Sequence, residues 1–179
     1  MFEEYLQDSY EFLVRAREAS NTAADQREAR RCYRAAVFYA AGAMEAFLNY
    51  AADSFAQAES LTPHEIAFLN DKTLVFCPGS GKVVQRAEFH RVQDKLRVLL
   101  GRFVPEFEFK APSWSQMIEF KRFRDSLVHP RAGDDETPLA EYDARVRAGL
   151  SAIIEIMNCI SEGVFKKPLR KQLLDLIPD

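Results

Sequence analysis

Cys32-Tyr33-Arg34-Ala35-Ala36-Val37-Phe38-Tyr39-Ala40-Ala41-Gly42-Ala43-Met44-Glu45-Ala46-Phe47-Leu48-Asn49-Tyr50 is the stretch that decides the fold class. Cys32, Ala35, Ala36, Tyr39, Ala43, Ala46, Phe47 and Tyr50 recur at helical spacing. Val37, Phe38, Ala40, Ala41, Met44 and Leu48 fill most of the remaining circumference. A helix that is apolar nearly all round is buried on most sides. The segment, running from about Ala24 to Ala58, therefore reads as the central helix of a core or as part of a subunit interface. Within it Glu45 is a carboxylate in almost wholly apolar company, with Asn49 one turn later.

The flanking sequence continues the helical pattern. Phe2, Leu6, Tyr10, Leu13 and Ala16 trace one stripe of a helix from Phe2 to Ala19, which Ser20-Asn21-Thr22 interrupts. Thr62 and Pro63 form a helix start, an N-cap followed by proline at the first position, and that short helix ends near Asn70. Asp71 to Arg86 reads as a loop centred on Cys77-Pro78-Gly79-Ser80-Gly81. Further helices are predicted from Ala87 to Phe103, from Trp114 to Val128 with Ser113 as cap and Pro130 as terminator, and from Leu139 to Val164. Scarce glycine and proline and abundant alanine agree with this. The expectation is an all-α fold, an antiparallel bundle of four to five main helices over residues 1–165, followed by a basic C-terminal tail over 166–179.

Composition narrows the functional classes. A chain of 179 residues, 47% hydrophobic and 28% charged, is long enough for one sizeable core and is neither collagen-like nor low in complexity. No stretch of about 18 apolar residues lacks charges, which argues against a membrane span. The acidic start Met1-Phe2-Glu3-Glu4 is unlike a secretory signal. Cys32, Cys77 and Cys159 are scattered, and the three histidines form no metal spacing with them. Reduced thiols in a cytoplasmic protein without cofactor or metal are expected. A net charge of −3 leaves no global basic field, so any contact with nucleic acid must use a local patch.

Two motifs carry little. Gly79-Ser80-Gly81-Lys82 has the look of a phosphate loop but lacks the earlier glycine and the following Ser or Thr, which are Phe76 and Val83 here, so a turn is expected. His64 in a helix first turn and His90 in an amphipathic helix read as ordinary surface or boundary residues. The basic runs Arg27, Arg30, Arg31, Arg34 and Lys166 to Lys171 read as solvated, or as extending a local nucleic-acid-binding patch.

Lys121-Arg122-Phe123-Arg124-Asp125-Ser126-Leu127-Val128-His129-Pro130 is different. At about 100° per residue, Phe120, Phe123 and Leu127 share a face flanked by Met117 and Val128, and Arg124 falls inside that apolar arc. A guanidinium aimed at a core or an interface must be paired or functional. Arg122 falls on the opposite face. Pro130 biases His129 away from helical dihedrals, so the histidine leaves the helix near the arginine one turn earlier.

Arg124-Asp125-Ser126-Leu127-Val128-His129 resembles the R-x-x-x-x-H signature of HEPN domains, with a polar residue after the arginine, and Ala35 to Asn49 is similar to an early core helix of that family. The resemblance implies a helical bundle that dimerises. It also implies a metal-independent endoribonuclease, of a kind often found as toxins or antiviral effectors, in which the Arg and His of two protomers meet at a cleft. Toxins of this kind paired with nucleotidyltransferase antitoxins often carry a tyrosine two residues after the histidine; Arg131 stands there instead.

On that resemblance His129 is the base that takes a 2′-OH proton and Arg124 steadies the phosphorane oxygens; imidazole titrates near neutrality and guanidinium matches phosphate. Asp125 orients His129 or Arg124, and Lys121, Arg122 and Arg131 contact the RNA backbone. The expected partners are a second copy, RNA, and an antitoxin or other partner protein. A structural alternative pairs Arg124 with Glu45, Asn49 lying nearby, and leaves His129 as a helix cap. Two further readings are a non-catalytic interaction module, expected to bury Arg124 and His129, and a small nucleotide-binding bundle, expected to hold a deep apolar pocket.

Overall fold

The computed structural model describes residues 1–21, 25–55, 60–129 and 137–178. Helix α1 (Phe2–Ser20) runs along α2 (Gln26–Ser54) in the opposite direction: Phe2 meets Phe47 and Tyr50, Phe12 stacks on Tyr39, and the buried Ser9 hydroxyl donates to the Ala36 carbonyl at 2.8 Å. Ala29, Ala36, Ala40, Ala43 and Ala51 are fully buried. Small side chains on this face let the neighbouring helices approach closely.

Helix α3 (Pro63–Leu69) starts as its sequence predicts. The Thr62 hydroxyl accepts from the Glu65 amide, and the Thr62 amide donates to the Glu65 carboxylate at 2.7 Å. The segment that follows is not a loop. Strand β1 (Lys72–Cys77) pairs antiparallel with β2 (Lys82–Ala87), Lys72 opposite Ala87 and Cys77 opposite Lys82. Thr73 to Phe76 and Val83-Val84 are strand-favouring runs on either side of a turn, which is a hairpin pattern. Gly79-Ser80-Gly81-Lys82 closes it: Gly81 has φ +67°, and its amide and that of Ser80 donate to the Cys77 carbonyl. The glycines serve a turn, not a phosphate.

Helix α4 (Val92–Phe103) consequently begins later than Ala87, and His90 precedes it. The His90 amide donates to Asp71 Oδ1 at 2.9 Å, and its ring lies 4.0 Å from that of Phe68. Asp71 also holds the buried Lys95 ammonium at 2.6 Å. Helix α5 (Pro112–Val128) has Ala111, not Ser113, as its N-cap, because Pro112 takes a first-turn position where no amide is needed.

Helix α6 (Leu139–Phe165) is antiparallel to α5, with Phe123 against Tyr142. Gly149 on α6 makes room for Phe120: a Cβ there would lie 1.9 Å from the ring. By length and composition α6 is apolar enough to cross a membrane, but Leu150, Ile153, Ile154, Ile156, Met157 and Ile160 are buried in the protein core, which accounts for that composition. Asp143 on α6 ties the bundle together, accepting from Arg17 of α1 and Arg147 at 2.8 Å each and from Tyr33 of α2. Burial pushes its carboxyl up, but the two arginines outweigh that and hold it below the ordinary carboxylate range. After α6, the buried Leu169 and Leu173 fold the basic stretch back onto the core through α7 (Lys171–Leu174), and Arg170 reaches Glu3 at 3.0 Å. Among the described residues the fold is all-α apart from the hairpin, with five helices of 12 residues or more.

Candidate functional site

Trp114, Met117, Phe120 and Phe123 bury one face of α5. Val128, expected to flank that face, is instead exposed, because the helix end extends past the core. Arg124 sits at the edge of the buried face with its side chain 26% accessible. One end of the guanidinium faces Glu45 Oε1 of α2 at 3.4 Å, and the other faces Asp125 Oδ1 at 3.2 Å. Asp125 in turn receives Lys121 Nζ at 2.8 Å. Two cations and two carboxylates thus alternate in a row, Glu45, Arg124, Asp125, Lys121. Arg124 Nε is buried and has no hydrogen-bond partner among the described residues. It adjoins a pocket of about 30 Å³ lined by Met44, Val92, Met117 and Phe120.

His129 is the C-cap of α5, with φ −123° and ψ 66°, outside the helical region. Its amide still donates to the Asp125 carbonyl at 3.0 Å, which fixes its backbone one turn beyond the ion pairs. The ring is exposed and takes no hydrogen bond or ion pair among the described residues. Asp125 therefore orients Arg124 and Lys121, not His129.

The other expected residues divide. Glu45 meets Arg124 as the structural alternative requires, but at a half-exposed position, not a buried one. Asn49 is exposed, and no contact to Arg124 is seen; it lines an open groove with Tyr50, Phe165 and Arg170 that Glu45 also borders. Arg122 is exposed and lines a groove of about 450 Å³ with Ser126 and with Arg145, whose guanidinium covers the Phe123 ring at 4.9 Å. Arg131 lies outside the described residues. Among the described residues, no group of three His, Cys, Asp or Glu side chains is placed to hold a metal ion. Val92 was missed by sequence reasoning. It reaches the Arg124 pocket from α4 through a tertiary contact that leaves no local signal.

Chemically, the arrangement offers a guanidinium held in place by two acids yet open to solvent. Lys121 lies on the far side of Asp125, and His129, exposed and without a side-chain partner among the described residues, follows at the C-cap of the same helix. Comparison with protein-family models, with curated proteins and with solved structures finds no match.

Proposed function

We propose that the chain is a metal-independent endoribonuclease of HEPN type that acts as a dimer. The observation that carries the proposal is the pairing of a braced, solvent-reached Arg124 with an exposed, unpartnered His129 at the same helix end. In this reading His129 takes the proton of a ribose 2′-OH. The 2′-oxygen bonds to the adjacent phosphorus, and the bond to the 5′-oxygen breaks. Products are a 2′,3′-cyclic phosphate and a 5′-OH, the leaving oxygen receiving its proton from the imidazolium of the second copy's histidine. Arg124 neutralises the charge that builds on the non-bridging oxygens. Lys121 and Arg122 attract the backbone on either side.

The interaction-module reading expects Arg124 and His129 buried, whereas His129 is exposed and Arg124 only partly covered; its support is the Glu45 contact, which ties α5 to α2 whether or not chemistry occurs. The nucleotide-pocket reading has less: about 30 Å³ at Arg124 is an order of magnitude below the few hundred that a small ligand needs. Cleavage of mixed RNA in EDTA tests the proposal. Wild type should cleave, while His129→Ala and Arg124→Ala should not, with folding and sedimentation unchanged. An inactive wild type on diverse RNAs supports the module. Activity surviving both substitutions refutes the assigned site.

A further inference from the structure

No residue of the hairpin of β1 and β2 is fully buried. Its cross-strand pair Phe76 and Val83 is 58% and 62% exposed, and Phe89, just after β2, is 83% exposed. Two strands standing alone bury little, so apolar rings at these positions invite a cover. The same segment is cationic. Lys72, Lys82 and Arg86 lie on the strands and Arg91 follows Phe89; all four are exposed, and none takes part in an ion pair among the described residues. No Asp or Glu occurs from Lys72 to Ala87, although the whole chain carries a net charge of −3. The acids at the foot are Asp71, held by Lys95, and Glu88.

Charge selects the occupant. In the ladder register Phe76 and Val83 share a face with Lys72, while Lys82 and Arg86 lie on the opposite face; a second hairpin would still bring three further cations and no acid, and like charges repel. A polyanion with flat apolar faces satisfies both features at once, and single-stranded nucleic acid is bound by this combination of cations and exposed aromatic rings. Position agrees. The foot of the hairpin runs Glu88-Phe89-His90-Arg91 into Val92, and Val92 lines the same small pocket as Arg124 and Lys121. The cationic arm therefore begins beside the candidate site.

We infer that the hairpin is a single-stranded RNA-binding arm. Bases stack on Phe89 and Phe76, with Lys72 on the Phe76 face and Arg91 two residues from Phe89 neutralising phosphates, while Lys82 and Arg86 attract the strand from the opposite face. The identity of the polyanion rests on the ribonuclease reading, whereas the cationic and aromatic character of the arm does not.

The test is fluorescence anisotropy of the full chain with labelled single-stranded 2′-O-methyl RNA, which has no 2′-OH to react. Phe89→Ala and Phe76→Ala should each weaken binding by about five-fold to a hundred-fold, the range for one lost stacking contact. Lys82→Ala with Arg86→Ala should lower the salt dependence, by about 0.7 in the log–log slope per lost phosphate contact. Phe89 is so exposed that its removal leaves the core intact, which far-UV circular dichroism checks. Binding and salt slope unchanged in all of these variants overturn the proposal, as does absence of binding by wild type. Loss of self-association in the hairpin variants, with RNA affinity retained, assigns the face to a second copy and also overturns it. Hairpin-dependent binding without cleavage of ordinary RNA supports the arm and refutes only the ribonuclease. Cleavage with unchanged kcat/KM in the hairpin variants refutes only the arm.

Discussion

Gly149→Ala should destabilise the protein, against the usual sign for that change in a helix. Replacing a helix-interior glycine by alanine ordinarily gains about 0.5–1 kcal/mol from reduced backbone entropy. Here the new Cβ would lie 1.9 Å from Phe120 Cδ2 and 2.4 Å from its Cγ. Carbon atoms need about 3.5 Å, so the ring must retreat by roughly 1.5 Å. Phe120 is only 4% exposed and cannot swing into solvent without leaving the core. Overpacking of this kind costs about 1–3 kcal/mol, which outweighs the entropic gain. Net destabilisation of about 1–2 kcal/mol lowers Tm by about 2–8 °C for a chain of this size. Thermal and urea unfolding measure it. A double change, Gly149→Ala with Phe120→Leu, should cost less than the sum of the two single changes, because the smaller side chain vacates the contested space. A rise in Tm for Gly149→Ala, or strict additivity in the pair, would refute the close packing of α5 on α6. On the proposed function, RNA cleavage provides a second readout, since Phe120 sits one turn before Arg124 and its displacement moves the site.

Three further outcomes follow from the ion pairs. Arg124→Met should change unfolding free energy by less than about 1 kcal/mol, since partly exposed pairs contribute little and the partnerless Nε is removed with the charge; cleavage should nevertheless be lost, and a large stability loss would favour a structural arginine. Asp143 is held below its ordinary value in the folded state, so its contribution is complete above about pH 4, where the unfolded carboxyl titrates, and drains away as pH falls through the lower folded value. Urea midpoints should fall over that acid range in wild type and less steeply in Asp143→Asn; equal slopes would dismiss the carboxylate as the cause. Asp71→Asn should cost about 2 kcal/mol in equilibrium unfolding by stranding the buried Lys95 ammonium, and asparagine tolerates the left-handed φ of 54° found there, so charge alone is changed.

Much of the helical frame was legible because it rests on local periodicity. The all-round apolar run from Cys32 to Tyr50 reads as a central helix or part of a subunit interface, and α2 buries most of it while Phe38 and Tyr50 stay exposed; Thr62-Pro63 could hardly be anything but a helix start. The hairpin was also written locally, in Thr73 to Phe76 and Val83-Val84, but the glycine-rich turn between them dominated the reading. Arg124 was found by its misfit, a charge inside an apolar arc, and Glu45 by the complementary misfit on another helix. Two lone opposite charges on apolar helices are a long-range signal that composition alone can carry. Val92 gave none, because an apolar residue in a pocket looks like any other core residue. The direction of Asp125 was equally hidden: helix spacing puts Lys121 and His129 each four residues away from it, and only the dihedrals of His129, turned out of the helix, decide for Lys121.

The row of alternating charges raises a question about Glu45 that its geometry answers. A phosphate approaching Arg124 must share the guanidinium with two carboxylates. Asp125 is already engaged by Lys121 at 2.8 Å, whereas Glu45 is the longer contact at 3.4 Å and is 52% exposed. On the proposed ribonuclease reading, Glu45 is thus the contact that an incoming phosphate displaces. Removing its charge takes away a repulsion of about 1 kcal/mol at about 5 Å in water-like surroundings, so Glu45→Gln should tighten binding of 2′-O-methyl RNA by about five-fold. Stability should change by less than about 1 kcal/mol, as for other exposed pairs. If Glu45 were instead the brace that aims Arg124, the same substitution would loosen the guanidinium and weaken binding. Tighter binding identifies Arg124 as a phosphate ligand masked in the free protein; weaker binding identifies it as one held in place across the α2–α5 contact, and refutes the displacement argued here.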